Sequence, residues 1–195
     1  MIKATSGKLH WNYFLALERD LEGLSRYFEF AKPNFNVYSI ELAHLLFAAA
    51  SEVDVVAKLL CRILAPAKRL RNINDYRAIL RPSLPDLNTT EVVVPRYGLT
   101  LIPWDNWSGK SNPVWWTSYN QVKHQRDTYF QEATLHNALN SLAALLIFTY
   151  TLYSYTLSPT AGQRLAPKDT TYALEPQSTL LRLSADYYYE AIIDG

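Results

Sequence analysis

The feature that most constrains the fold of this chain is a long stretch without charge in its C-terminal third. No Asp, Glu, Lys or Arg occurs between Glu132 and Arg164, and residues 142–157 are strongly apolar. A helix that is apolar on nearly every side must be covered from several directions, by other helices or by a second subunit. We therefore expect this segment to form the centre of a helical bundle or a subunit interface.

A membrane span is the other structure that such a segment can form, since about 20 predominantly apolar residues cross a bilayer. Polar side chains interrupt this run, however, among them His136, Asn140, Thr149 and Ser154. These interruptions suit a helix buried in a protein or a dimer better than a helix that faces lipid. We predict that the chain does not span a membrane.

The composition is that of one folded domain in a reducing compartment. A chain of 195 residues that is 49% hydrophobic and 19% charged has enough apolar area for a sizeable core, and no linker divides residues 1–195. The single cysteine, Cys61, has no partner for an intramolecular disulfide, and no apolar signal segment follows Lys3 and Lys8. We expect a single cytoplasmic domain.

Apolar residues at helical spacing predict three long helices and one short helix. Proline ends two of them, because Pro33 follows the first and Pro66 follows the second, and Asn72 is the candidate N-cap of the short helix. The predicted helices are His10–Ala31, Tyr38–Ala65, Asn74–Leu80 and a last one from Val114 or Trp115 to about Tyr155. The fold class is therefore mainly α, a helical bundle of three or more long helices with a small β-hairpin insertion.

The insertion, at about residues 89–113, combines a predicted hairpin with a loop rich in tryptophan. Two β-prone runs, residues 91–94 and 99–102, flank a turn at Pro95–Gly98. The loop over residues 103–113 has too many Pro, Gly, Asn and Ser residues for regular structure, whereas its tryptophans favour burial. We expect the loop to lie tightly against the helices.

The tail, at about residues 158–195, is the part whose secondary structure the sequence leaves open. Leu180–Leu183 and Tyr187–Tyr189 are short apolar or aromatic runs. Runs of this length fit a strand or a helix equally well, because periodicity does not distinguish the two.

Polar and basic side chains gather near the start of the last predicted helix, at Asn120, Lys123, His124 and Arg126. Residues three and four apart are neighbours on a helix, so Asn120 and His124 share one face with Lys123 beside them. An imidazole with a pKa of about 6.5 can give or take a proton at neutral pH, and a cation stabilises an anionic phosphate transition state. These groups are the ones that RNA cleavage without a metal requires. The alternative is a structural contact of His124 at the end of the tryptophan loop, with Lys123 and Arg126 solvated.

The segment Tyr119-Asn120-Gln121-Val122-Lys123-His124 resembles the motif of the HEPN (higher eukaryotes and prokaryotes nucleotide-binding) superfamily. That motif consists of arginine, a polar residue, three variable residues and histidine. In this register Asn120 matches the polar residue and His124 the catalytic histidine, whereas Tyr119 stands where the family has arginine. The layout of long helices, with the motif opening a late one, resembles the family over about residues 9–155.

The resemblance implies a helical bundle that binds RNA or a nucleotide and uses no metal or other cofactor. HEPN members that keep the arginine and histidine are typically metal-independent RNases in toxin–antitoxin, phage-defence or RNA-processing systems. They often form homodimers in which two motifs face each other, so a homodimer and an antitoxin or regulatory partner are implied here. With Tyr119 at the arginine position, the chain is either a catalytically lapsed relative or takes its cation from Lys123 or Arg126.

A second candidate site is the basic segment between residues 58 and 81, where seven basic residues accompany a single acidic one, Asp75. We predict RNA contacts there, because clustered cations favour phosphates. The predicted contact residues are Arg62, Lys68, Arg69, Arg71 and Arg77, and Lys58 and Arg81 complete the segment. A solvated surface explains the same pattern without a ligand, since cations near a helix C-terminus are favourable by themselves. A groove shared with His124 would favour RNA.

Four tryptophans offer a further candidate, because Trp104, Trp107, Trp115 and Trp116 would stack on bases if they were exposed. Burial would instead make them anchors of the loop, and we favour that interpretation. No metal is assigned to the second helix: Glu41, His44 and Glu52 fall within one broad sector, but Asp54 points away, and a histidine such as His44 is more often structural than a ligand. The sequence has no P-loop, no dinucleotide-binding glycine run, no Gly-x-Ser-x-Gly and no paired zinc cysteines, so no cofactor is expected.

The sequence is therefore consistent with two alternative functions. The first is a HEPN-like RNA- or nucleotide-binding protein that acts as a metal-independent endoribonuclease, with His124 as general acid and base. The second is a non-catalytic helical interaction or regulatory protein in which the His124 cluster is structural. An exposed His124 beside Arg126 in a basic groove would favour the first, and enclosure of His124 by Trp115 and Trp116 would favour the second.

Overall fold

Seven helices and one three-stranded sheet make up residues 7–185, the part of the chain that the computed structural model describes. Short 3-10 turns join several of these elements. The helices are α1 (Leu9–Leu24), α2 (Ile40–Leu64), α3 (Ile73–Ser83), α4 (Val114–His124), α5 (Arg126–Tyr129), α6 (Leu135–Thr156) and α7 (Pro167–Ala173). The strands are β1 (Val92–Val94), β2 (Leu99–Leu101) and β3 (Arg182–Leu183). The prediction of a mainly helical bundle with a small hairpin is confirmed.

The uncharged helix α6 forms the centre of the bundle. Every residue from Asn137 to Ser154 is buried, because α2 packs along α6 while α1 and α4 contact both helices. By length and composition α6 is apolar enough to cross a membrane, but 94% of its most apolar 18-residue window is buried inside the protein. The expected covering of this helix is therefore supplied by the chain itself.

The helix ends follow local signals where such signals exist. Ser39 caps α2, because its hydroxyl oxygen accepts a hydrogen bond from the backbone N–H of Leu42 at 3.1 Å. Asn72 caps α3 as predicted, with its side-chain oxygen 2.9 Å from the N–H of Asn74, although α3 continues through Pro82 to Ser83. The prediction for α1 was wrong at its end: the helix stops at Leu24, well before Ala31.

The last predicted helix is broken, so the prediction of one helix from about residue 114 to 155 was wrong. α4 ends at His124, α5 is a single turn, and α6 begins only at Leu135. The start of α6 depends on residues far from it in the chain. The N–H groups of Leu135 and His136 donate to the carbonyls of Val37 and Phe35 at 2.8 and 3.1 Å. The connection between α1 and α2 thereby satisfies donors that every helix start leaves free.

The sheet combines the predicted hairpin with a strand from the tail. β1 and β2 are antiparallel, and Val94 lies opposite Leu99 across a turn in which Gly98 has φ of 60°. That left-handed conformation suits glycine, which has no Cβ to clash. β3 pairs with the other edge of β1, so the segment around Leu183 is a strand. The second open segment, residues 187–189, lies outside the described residues.

A buried carboxylate on α1 holds the tail in place. Glu18 is 1% exposed, and its oxygens accept hydrogen bonds from the N–H groups of Thr179, Leu180 and Leu181 at 3.1, 3.0 and 2.9 Å. The Ser178 hydroxyl donates to the same carboxylate. Several converging donors stabilise a buried charge that would otherwise be costly. Glu18 therefore positions the chain directly before β3.

The tryptophan loop packs against α6, as predicted. The ring of Trp104 stacks on Phe148 with centroids 4.3 Å apart and an interplanar angle of 17°, and Trp107 is fully buried beside it. The indole N–H of Trp115 donates to the carbonyl of Pro103 at 2.8 Å. These three rings are anchors of the loop, and their burial leaves them no face for stacking on bases.

Candidate functional site

The motif residues lie at the end of a short helix and do not open a long one. Lys123 and His124 are in the last turn of α4. Gln125 then leaves the helical conformation, with φ of −143° and ψ of 58°, although its N–H still donates to the carbonyl of Gln121 at 2.8 Å. The chain therefore turns between His124 and Arg126, which puts both side chains at an exposed corner.

His124 is exposed and is not enclosed by the tryptophans. Trp115 packs edge-on against Trp104, and Trp116 contacts the rings of Trp115 and Tyr119. Within residues 7–185 the His124 imidazole has no hydrogen-bond or ion-pair partner. Both ring nitrogens are therefore available to a ligand.

Tyr119, at the position of the family arginine, is 8% exposed and brings a cation to its hydroxyl group. The Lys123 ammonium donates to the Tyr119 hydroxyl oxygen at 3.2 Å and lies 5.3 Å from the centre of the same ring. Cation–π attraction and the hydrogen bond act together on this lysine. A positive charge therefore stands at the tip of the side chain where the family has its arginine.

Arg126 is held by a second aromatic ring. Its guanidinium carbon lies 5.1 Å from the ring centre of Phe47 on α2, and Phe47 also meets Tyr119 edge-on, with ring centroids 6.1 Å apart. The Phe47 ring thus contacts both Tyr119 and Arg126. We call Lys123, His124 and Arg126 the basic corner.

Asn120 contributes less than the motif suggests. Its amide nitrogen donates to the carbonyl of Trp116 at 2.8 Å, one turn earlier on α4. This bond lies within the helix and uses one of the two amide N–H groups, so the other N–H and the side-chain oxygen are left for another group. We therefore place Asn120 beside the basic corner and not in it.

The basic side chains of the predicted segment make different contacts. Arg77 donates to the backbone carbonyls of Lys110 and Ser111, and Arg81 donates to that of Ser108 at 2.8 Å. Both therefore tie α3 to the tryptophan loop. Lys58 pairs with Asp54 one turn earlier on α2. Arg81 is exposed all the same. The exposed cations whose side chains have no partner among the described residues are Arg62 at the end of α2 and Lys68, Arg69 and Arg71 in the connection to α3.

The basic corner and these exposed cations lie near different positions along α2. Phe47, which contacts Arg126, precedes Arg62 by fifteen residues on the same helix. At a rise of about 1.5 Å per residue this separation is about 22 Å. The structure thus does not bring His124 and Arg62 into one groove.

The structure also shows an imidazole–carboxylate pair that the sequence did not suggest. His10 Nδ1 lies 2.6 Å from Glu52 Oε1, and the two side chains are 17% and 14% exposed. His10 lines a cavity of about 500 Å³ together with Lys8, Arg62 and Tyr153. The partners lie 42 residues apart in the chain, so no local spacing could have indicated them.

His136, in the first turn of α6, is the remaining histidine with a distinct environment. Its ring packs on Phe35 with centroids 4.8 Å apart, in a cavity of about 280 Å³ that Asp105, Trp115 and Asn140 also line. Burial lowers the pKa of His136, and the Asp105 carboxylate acts in the opposite direction. The neutral imidazole is therefore the favoured form in the folded protein.

Metal ligation has no candidate among residues 7–185, since no group of three or more His, Cys, Asp or Glu side chains has the required arrangement. The acidic residues of α2 have other partners. Glu41 lies 3.7 Å from His44, and Glu52 is paired with His10. Comparison of the chain with family models, curated proteins and solved structures gives no match.

Proposed function

We propose that this protein is a HEPN-like RNA-binding protein that acts as a metal-independent endoribonuclease at the basic corner. The observation that supports this proposal is the exposed His124 imidazole, which has no partner within the described residues and stands in the chain between Lys123 and Arg126, two cations that each contact an aromatic ring. Ligand phosphates would contact Lys123 and Arg126, and His124 would transfer protons.

The cations matter because phosphodiester cleavage develops negative charge on the phosphate oxygens. Lys123, bound to the Tyr119 hydroxyl, supplies a positive charge next to the position that the motif assigns to arginine. Arg126 offers a planar guanidinium with several donors, which can bind two phosphate oxygens together. In this proposal the pair Tyr119–Lys123 replaces the motif arginine.

The proposal includes a homodimer, because two facing motifs are typical of the HEPN superfamily. An apolar surface next to the basic corner supports it: Tyr38 and Ile40 are 50% and 63% exposed, and Tyr38 meets Phe130 edge-on, just beyond α5. Light scattering should give twice the monomer mass, and Ile40→Ser should shift the protein toward the monomer. An antitoxin or regulatory protein that covers the basic corner is the partner this activity would require.

The test is cleavage and binding of single-stranded RNA with a chelator present. Wild-type protein should cleave the RNA, and His124→Ala should lower the rate by about 10²- to 10⁴-fold. Arg126→Ala should weaken RNA binding at low salt and reduce the slope of log K against log salt by about 1. Arg96→Ala is a matched control, because Arg96 also lies over an aromatic ring, that of Tyr97, at 5.3 Å.

Three outcomes would contradict the nuclease proposal: equal cleavage by wild type and His124→Ala, no cleavage by either, or equal weakening by Arg126→Ala and Arg96→Ala. A second function is favoured by one specific observation, namely that Asn120 and Lys123 both make hydrogen bonds within α4. A non-catalytic interaction protein would bind its partner through the same corner. RNA binding that depends on Arg126, without cleavage, would identify a lapsed member.

A further inference from the structure

We propose that the cavity between α1, α2 and α6 binds a phosphate monoester with an apolar body, at a site separate from the basic corner. The cavity has a volume of about 500 Å³, within the usual range of small-molecule sites. Its walls come from the start of α1, the end of α2 and the end of α6. Three elements distant in sequence thus form one concave surface.

The polar end of the cavity has a fixed imidazole. Glu52 occupies Nδ1 of His10 at 2.6 Å and thereby sets the orientation of the ring. Nε2 is then the nitrogen left for a ligand, and it has no partner within residues 7–185. Burial raises the pKa of Tyr153, so its hydroxyl group stays protonated at the inner wall.

Two cations also line the cavity. Lys8 and Arg62 both line the cavity, and neither forms an ion pair with another described residue. A phosphate monoester carries a charge of about −1.5 to −2 at neutral pH, which two cations would balance. The planar guanidinium of Arg62 also suits two phosphate oxygens. Among the described residues that line the cavity there is no carboxylate, and Glu52, which contacts the lining residue His10, is paired with it.

The remaining wall is apolar and defines the other half of the ligand. Leu59, Ile63, Leu152 and Leu157 line the cavity. Ile63 and Leu157 are each 37% exposed, so apolar surface remains in contact with water. Covering this surface would favour a ligand with a short alkyl or aromatic group over inorganic phosphate. The arrangement therefore fits a phosphate head and an apolar body.

The experiment is titration of the full chain with hexyl phosphate, followed by calorimetry and by the NMR signals of the histidine rings. Wild-type protein should show saturable binding, with inorganic phosphate and hexanol each binding more weakly. Arg62→Gln should raise the Kd about 10- to 100-fold, the effect of losing a charged hydrogen bond. Arg69→Gln is the matched control, because Arg69 is exposed in the same basic segment and does not line the cavity.

The NMR arm locates the ligand without a mutation. The ring signals of His10 should shift on addition of hexyl phosphate, whereas those of His44, which lies outside the cavity and beside Glu41, should not. Absence of saturable binding, equal effects of Arg62→Gln and Arg69→Gln, or equal affinity for hexanol would overturn the proposal. Because the assay uses no RNA, its outcome is independent of the nuclease proposal.

Discussion

α6 and the basic corner differ in what surrounds their side chains. Every residue from Asn137 to Ser154 is buried, whereas the side chains from Lys123 to Thr128 are all exposed. Among the described residues, the ring of Tyr119 contacts the Lys123 cation and the ring of Phe47 contacts the Arg126 cation. Burial keeps most of α6 away from a ligand, except where Leu152 and Tyr153 line the cavity beside α1. The side chains of the corner are exposed and have little packing to lose. Stability and ligand binding should therefore respond to different substitutions.

The largest expected effect on the free energy of unfolding comes from comparing a phenylalanine-to-alanine substitution in α6 with one near the basic corner. Phe148 is fully buried and stacks on Trp104, so Phe148→Ala should lower the free energy of unfolding by about 3–5 kcal/mol. Phe130 lies near the corner, is only partly buried and meets Tyr38 edge-on. Phe130→Ala should cost about 1–2 kcal/mol. Urea denaturation of both variants measures the difference, and equal losses would show that the two regions are equally packed.

A smaller effect is expected at the boundary between the two regions. Thr134 caps α6, and its side-chain oxygen accepts a hydrogen bond from the N–H of Asn137 at 3.2 Å. Thr134→Ala should therefore lower the free energy of unfolding by about 1 kcal/mol. Thr128→Ala, an exposed threonine of α5, is the control and should leave stability unchanged or slightly higher, since alanine favours helix. If both variants behave alike, the cap does not set the start of α6.

The smallest effect concerns pH at the start of α6. Burial lowers the pKa of His136 in the folded protein, so the unfolded chain takes up a proton first as the pH falls below about 6.5. The free energy of unfolding should therefore decrease between pH 7 and pH 5.5, and stability is highest where His136 is neutral. His136→Gln should reduce this decrease, with His44→Gln as the control for loss of a histidine outside the cavity beside Phe35. A decrease that is identical in wild type and His136→Gln would contradict this assignment.

The sequence was sufficient for features whose causes are local. Apolar spacing predicted α2, the cap at Asn72 follows from residue chemistry, and the turn at Gly98 explains the hairpin. The cap at Ser39 was not predicted, because the helix was expected to begin at Tyr38. The break before α6 was missed, because it depends on the carbonyls of Phe35 and Val37, which lie about a hundred residues earlier in the chain. Thr134, a good N-cap residue, was the one local signal for it.

The candidate site likewise has features that the sequence indicated and features that only the fold shows. The motif spacing identified His124 and its neighbours, but only the fold shows that Lys123 meets Tyr119 and that Arg126 meets Phe47. The basic segment is one run in the sequence, yet Arg77 and Arg81 bind backbone carbonyls of the tryptophan loop. The pair of His10 and Glu52 was not predictable, since its partners are brought together by the packing of α1 on α2.

The hydrogen bonds of Glu18 have a consequence for the order in which the protein matures. Their partners follow Glu18 by 160 to 163 residues. At a synthesis rate of about 5–20 residues per second, the ribosome needs roughly 10–30 s to deliver them. α1 is thus made well before the segment that completes its contacts. Until Leu181 has emerged, the nascent chain holds an acidic side chain whose burial it cannot yet complete.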